Sequence, residues 1–198
     1  MKRAAPYDRN AALDAAQSLF WDKGFHATSL KDLEAAMAMK PGSIYAAFSS
    51  KETLYLLALE RYFEKSRTGF RGQMARAASP LAAMAEHFRS YARLAPGHMA
   101  RQACMLTKTL VDTGSTEPAI AAATRAYLGA MHQEFTASFA RAQASGEVGP
   151  GAAPDRLARR FQANTAALRF ELHQGTAPTK IADLAEDMAQ EIEALRVT

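Results

Sequence analysis

Glycine and proline cut this chain into segments that each carry helical periodicity, and no run alternates apolar and polar residues as a half-buried strand would. About nine helices account for the punctuation, so the fold class is all-α. The first is predicted over 8–23, with Leu13, Ala16 and Phe20 on one face and Gly24 as its stop. The second begins at Thr28-Ser29, where a hydroxyl can cap open N–H groups and Asp32 favours the first turn. Its inward stripe is Leu30, Leu33 and Met37. A short third helix, Pro41–Phe48, opens on a proline whose missing N–H is harmless there, and Ile44 and Phe48 give it an apolar face. Ser50 is predicted to cap a long fourth helix running from Lys51 towards Ser79-Pro80, and further helices follow at about 81–94, 99–113, 118–144, 155–174 and 179–196.

Composition agrees with helix: Ala, Leu, Met and Arg are frequent and Val and Ile are few. With 48% hydrophobic and 22% charged residues, the 198-residue chain can bury a sizeable core. A net charge of +4 admits a nucleic-acid partner without establishing one. Cys104 is the single cysteine, which rules out an internal disulfide framework. No apolar h-region follows the basic opening Met1-Lys2-Arg3, and no apolar run nears the roughly 20 residues that span a bilayer. The expected location is the cytoplasm, with no membrane partner.

Enzyme signatures are missing. His26, His87, His98, His132 and His173 stand far apart, outside the Glu-x-x-His and His-Glu-x-x-His patterns of metal sites. No phosphate-binding glycine loop, nucleophile elbow or dinucleotide fingerprint occurs. Neither catalysis, a metal nor a cofactor is expected.

The region Thr28–Lys51 carries the most specific signal. Two short helices joined by the tight turn Ala38-Met39-Lys40 form a helix-turn-helix, whose second helix can lie in a DNA major groove. Ser29-Leu30-Lys31-Asp32-Leu33-Glu34-Ala35-Ala36, followed by Lys40-Pro41-Gly42-Ser43-Ile44-Tyr45-Ala46-Ala47-Phe48-Ser49-Ser50-Lys51-Glu52, resembles the DNA-binding domain of the TetR family over about residues 8–60. That family usually has Gly in the inter-helix turn, where this chain has Ala38; a positive φ there would cost about 1 kcal/mol.

The resemblance implies a helix-turn-helix domain over 1–50, with helix four from 51 as connector, and a helical ligand-binding and dimerisation domain over 51–198. It further implies a homodimeric repressor on a roughly palindromic operator, released by a small-molecule effector. Tyr45 and Lys51 match the family's phosphate-binding positions. Lys31 and Lys40 match positions flanking the groove. Thr28 and Ser29, at a helix N-terminus, can add hydroxyl and backbone N–H contacts to phosphate. Ser43 can bond a base or a phosphate. Pro41, Gly42, Ala46 and Ala47 lack side-chain hydrogen-bonding groups, which leaves thymine methyl contact and DNA shape to contribute to specificity.

Two C-terminal stripes face either their own core or a four-helix bundle shared by two subunits, and periodicity does not separate these. On the second reading Leu168, Leu172, Leu184 and Met188 form the dimer interface. Candidates for lining an effector cavity are Phe88, Tyr91, Met105, His132, Phe135, Phe139 and Phe170, a set suited to an apolar or aromatic ligand. The stretch around Cys104 is similar to one in an N-ethylmaleimide-responsive branch of the family, in which the cysteine senses electrophiles and oxidants. On a continuous helix Arg101 and Lys108 would flank Cys104 and could acidify its thiol. The alternative is a buried, inert cysteine. An architectural DNA binder without a ligand would explain the first 60 residues and little of the rest.

Overall fold

The computed structural model describes residues 8–95 and 97–197; the basic opening and Pro96 of the predicted turn lie outside them. Among the described residues it contains α1 (Arg9–Lys23), α2 (Leu30–Met37), α3 (Pro41–Phe48), α4 (Lys51–Arg76), α5 (Pro80–Ala92), α6 (Met105–Thr113), α7 (Pro118–Ala144), α8 (Pro154–His173) and α9 (Pro178–Glu193). A single isolated bridge, Val148 to Arg196, is the only extended pairing among them. The two compact units do not follow one cut after residue 50. The first runs to Glu64 and takes in Lys108–Tyr127; the second comprises Lys65–Thr107 and the chain from Leu128 onwards.

In the first unit each short helix has a local start and stop. Asp8 Oδ1 accepts the Asn10 N–H at 2.8 Å, and Gly24, at φ 85°, ends α1 with its N–H on the Phe20 carbonyl. Ser29 and Asp32 close a capping box at the head of α2. Ala38 ends α2 in the left-handed region at φ 52° and ψ 37°, so the strain foreseen for a non-glycine residue is present. The eight residues of α3 are too few for independent stability and depend on Ile44 and Phe48, which are 1% and 2% exposed. Phe20 and Phe25 meet Tyr55 edge-on at 4.8 and 5.1 Å, and the Tyr55 hydroxyl bonds Thr109 Oγ1 at 2.7 Å. Burial pushes the Tyr55 phenol up to about 12, so it remains a neutral hydrogen-bonding group. Lys108 Nζ donates to the carbonyls of Trp21 and Asp22 at 2.7 and 3.1 Å, placing a cation at the negative end of α1.

The second unit is organised around Phe161 of α8, whose ring lies 4.7 Å from Phe88, 5.0 Å from Phe135 and 6.0 Å from Phe139. All four rings are buried, and each side chain taken from water contributes on the order of 2–3 kcal/mol. Helix α5 packs on α9, and Arg89 fixes the pair: Nε lies 2.7 Å from Glu186 and Nη1 2.6 Å from Glu193.

Three expectations are corrected here. The predicted helix 99–113 is broken into a 3-10 turn, Met99–Arg101, an extended link and α6. The Gln102 carbonyl is taken by Arg169 Nη2 at 3.0 Å instead of entering a helical ladder. Leu168 and Leu172, expected at a dimer interface, are 0% and 3% exposed in the subunit's own core; Met188 is buried too, and Leu184 is half-buried. Phe170, expected in a cavity, is 56% exposed. On α8 two residues, about half a turn, separate those two environments.

The Arg89 clasp makes stability depend on pH. Its guanidinium holds Glu186 down to about 2 from an ordinary 4.5 and lowers Glu193 as well. Carboxyls with depressed folded-state pKa values add stability above their unfolded values, and that stability is lost as pH falls through the folded ones. Arg89→Met is therefore expected to lower Tm at pH 7. The gap to wild type should narrow between pH 4.5 and about 2, as followed by circular dichroism melts. A gap independent of pH would mean that packing of the arginine stem, and not its charge, holds α5 to α9.

Candidate nucleic-acid interface

The inward and outward faces of α3 differ sharply in chemistry. Ile44 and Phe48 point into the unit, while Pro41, Gly42, Ser43, Tyr45 and Ala46 are exposed, Tyr45 to 42%. The result is a thin surface with two hydroxyls and little else that could hold it away from another molecule. Gly42 is not needed for the fold: a Cβ built there meets nothing within 4 Å, and its φ is not positive. Glycine inside a helix costs about 1 kcal/mol relative to alanine, so this position gives up stability where the backbone faces outward.

Cations stand around this face. Lys31 on α2 and Lys40 at the cap of α3 are exposed. Lys51 is half-buried at the head of α4, its Nζ 4.6 Å from the centre of the Phe25 ring. Burial lowers its pKa, against the pull of Glu117 and Asp112. A lysine at a helix N-terminus opposes the macrodipole, an arrangement favourable only when an anion approaches. Arg9, which sequence patterning did not single out, lies over Phe48 at 5.0 Å and is exposed; no motif marked it, because the stacking partner is distant in sequence.

The expectation for Thr28 needs correction. It is 1% exposed, and its hydroxyl donates to the Gly24 carbonyl at 2.6 Å, so it shapes the turn into α2 and offers no outward donor. The Ser29 hydroxyl is exposed but committed to the capping box, donating to Asp32 Oδ2 at 2.7 Å and accepting the Asp32 N–H at 3.1 Å. Asp32 also accepts from Lys23 Nζ at 2.7 Å; that bond, and then those from Ser29, hold its carboxyl well below the usual range. Lys23 is thereby tied down.

In the second unit Phe88, Phe135 and Phe139 come together at Phe161, and Met105 is 1% exposed. His132 stands with Asp155, its Nε2 at 2.6 Å from the carboxylate. Tyr91 and Cys104 are half-exposed, which excludes a fully buried thiol. The helix expected to place Arg101 beside Cys104 is broken before Cys104, and Arg101 donates to the Leu94 carbonyl, while Lys108 donates to the carbonyls that end α1. Among the described residues no group of His, Cys, Asp and Glu is placed to hold a metal ion, and no helix is long and apolar enough to cross a membrane.

A braced short helix with a bare outward face and a basic margin, carried by a helix-turn-helix, defines a DNA-binding regulator. The sequence matches the bacterial regulatory proteins of the tetR family over residues 12–58 and the tetracyclin repressor-like C-terminal domain over residues 77–194. The chain belongs to the TetR family of transcriptional regulators, which are not enzymes. It is 26% identical to the HTH-type transcriptional repressor ComR of Escherichia coli K12 over 184 residues, covering 92% of this chain and 88% of ComR. The TetR-family regulator CifR, solved as a cysteine mutant with a 26 bp double-strand operator, superposes with a TM-score of 0.81 at 26% identity, covering 95% of this chain and 98% of that one. The reduced form of E. coli NemR, 13% identical with a TM-score of 0.81 over 96% and 97% of the two chains, shares the fold.

The interface predicts separable effects. Lys51→Ala is expected to weaken DNA binding to all sequences alike and to flatten the log–log salt slope by about one unit. Gly42→Ala should raise Tm while weakening binding to the preferred sequence. Fluorescence anisotropy across salt concentrations reads both. An unchanged slope for Lys51→Ala would remove it from the phosphate contacts.

Proposed function

We propose that this protein is a homodimeric repressor that binds a roughly palindromic operator through α3 and leaves it when a small molecule occupies the second helical unit. The observation that carries the reading is the exposed face of α3, with Tyr45 and Ser43 available and Lys31, Lys40 and Lys51 around it. Tyr45 and Lys51 take backbone phosphates, and Arg9 joins them. Lys31 and Lys40 reach towards base edges, and Pro41, Gly42 and Ala46 allow close approach. Two such helices, about 34 Å apart, fit successive major grooves. The operator in the CifR complex supports a double-stranded DNA partner, and a DNA-binding repressor acts in the cytoplasm.

The dimer surface lies on the outward side of α8, where Ala163, Ala167 and Phe170 follow one another at helical spacing and are exposed. Beside Ala163 a groove of about 600 Å³ is lined by Arg156, Leu157, Arg160 and Leu195. Arg160 pairs with Glu191 of α9 within the subunit at 3.1 Å, while Asp183 and Asp187 on α9 are exposed, so a two-fold contact can match Arg156 of one subunit with that acidic face of the other. Phe170→Glu is expected to give folded monomers with much weaker operator binding, because a single half-site contributes too little affinity. Leu168→Glu should unfold the subunit instead. Sedimentation of operator-selected wild type and both variants checks this, and an intact Phe170→Glu dimer would place the interface elsewhere.

The effector is apolar or aromatic, in keeping with the rings around Phe161, or electrophilic, an acceptor for attack by the Cys104 thiolate. The half-exposure of Cys104 favours access to its thiol. N-ethylmaleimide is expected to release wild-type protein from its operator and to spare Cys104→Ser in a gel shift. Complete modification without release would exclude sensing at this residue.

A further inference from the structure

Where the aromatic core of the second unit reaches its surface, polar groups from α5, α8 and the link before α6 converge. Arg169 of α8 is 7% exposed, a charged side chain set deep in the fold. Its Nη2 donates to the Gln102 main-chain carbonyl at 3.0 Å, and its guanidinium lies 5.9 Å from the centre of the Tyr91 ring. Gln102 Oε1 is buried with no hydrogen-bond partner among the described residues. His87 meets Tyr91 edge-on at 5.2 Å and Phe161 at 5.4 Å; burial first, and then the charge of Arg169, hold it neutral with a pKa of about 4.

Each feature selects part of a ligand. A main-chain carbonyl is a neutral acceptor for a guanidinium, whereas a carboxylate in the same place forms charge-assisted bonds that are shorter and about twice as strong. Exchange of one for the other is feasible because Gln102 belongs to no helix: its φ of −73° and ψ of 153° are extended, and it lies between the 3-10 turn and α6. The orphaned Gln102 oxygen asks for an N–H or O–H donor close to that carboxylate. The aromatic neighbours, Tyr91, His87 and Phe161, ask for a flat ring.

We propose that Arg169, Tyr91 and Gln102 form an effector site for an aromatic carboxylate bearing an adjacent hydroxyl or amino group, the carboxylate replacing the Gln102 carbonyl on Arg169. The site rests on the effector-release reading and names the ligand class for it. Arg169 is the anchor, Tyr91 gives a second hydrogen bond, and the Gln102 side chain accepts from the ligand's donor. Releasing the Gln102 carbonyl loosens the segment that leads into α6 at Met105.

Calorimetry on the full chain with salicylate, anthranilate and the uncharged salicylamide tests the proposal, with operator release followed by anisotropy. Both acids are expected to bind and to weaken operator affinity at least tenfold, with salicylamide at least thirtyfold weaker. Arg169→Gln should lose acid binding, Arg169→Lys should restore part of it as a point charge without the fork, and Tyr91→Phe should fall between. Wild-type protein that binds neither acid overturns the proposal, as does a folded Arg169→Gln that binds salicylate as well as wild type. If Arg169→Gln does not fold, equal affinity of wild type for salicylate and salicylamide overturns it by itself. Acid binding without operator release keeps the site and removes its regulatory role; failure to bind any operator in the absence of ligand counts against the DNA-binding reading alone.

Discussion

An eight-residue helix has almost no stability of its own in water, because nucleating its first turn fixes several residues for a single hydrogen bond. Everything about the first unit follows from having to hold α3 in place from behind. Ile44 and Phe48 are its only buried side chains, and they are buried almost completely. Behind them the rings of Phe20, Phe25 and Tyr55 meet edge-on, and Tyr55 ties the group to Thr109. Ala38, before α3, and Ser49, which ends it, are non-glycine residues with φ of 52° and 66°. Such conformations persist only where surrounding packing overrides their local cost.

That arrangement divides polar groups into those that build the scaffold and those left for a partner. Thr28, Ser29, Asp32 and Lys23 are all polar and close in sequence to the helix-turn-helix, yet each spends its hydrogen bonds on the entry to α2. Among the described residues Tyr45, Lys31 and Lys40 make no such hydrogen bond, and they remain at the surface. Lys51 is intermediate: stacked on Phe25, it is positioned by the fold while its ammonium opposes the helix dipole. A residue's type therefore says less about DNA contact than whether the local backbone has already used its donors.

The same distinction explains what could be read from the sequence. The order and ends of α1, α2 and α3 were legible because their signals are local: Gly24, the Ser29–Asp32 box and Pro41 all act within a few residues. The break at Gln102–Cys104 was not, because the group that captures the Gln102 carbonyl arrives from α8, 67 residues away. Periodicity found the apolar stripe of α8 but could not say whether it faces inward or a second subunit; burial of Leu168 and Leu172 assigns it to the core. In the sequence Phe161 is simply an apolar residue of α8, although its ring is the one on which Phe88, Phe135 and Phe139 converge. Arg9 and Arg169 gave no sequence signal at all, since their meaning lies in distant partners.

The packing around Phe161 also constrains where recognition of a ligand can reside. Phe88, Phe139 and Phe161 are each at most 1% exposed, and closely packed interiors yield little volume without loss of contacts. A ligand that displaced these rings would have to replace their burial ring for ring. The edge of the cluster is different: Tyr91, Gln102 and Cys104 are half-exposed, and the link that carries two of them is not part of a helix. Binding there disturbs few buried apolar contacts and can draw on the buried charge of Arg169. The rings then act as a rigid wall that fixes the shape of the edge, while the polar groups along it set which chemistry is accepted.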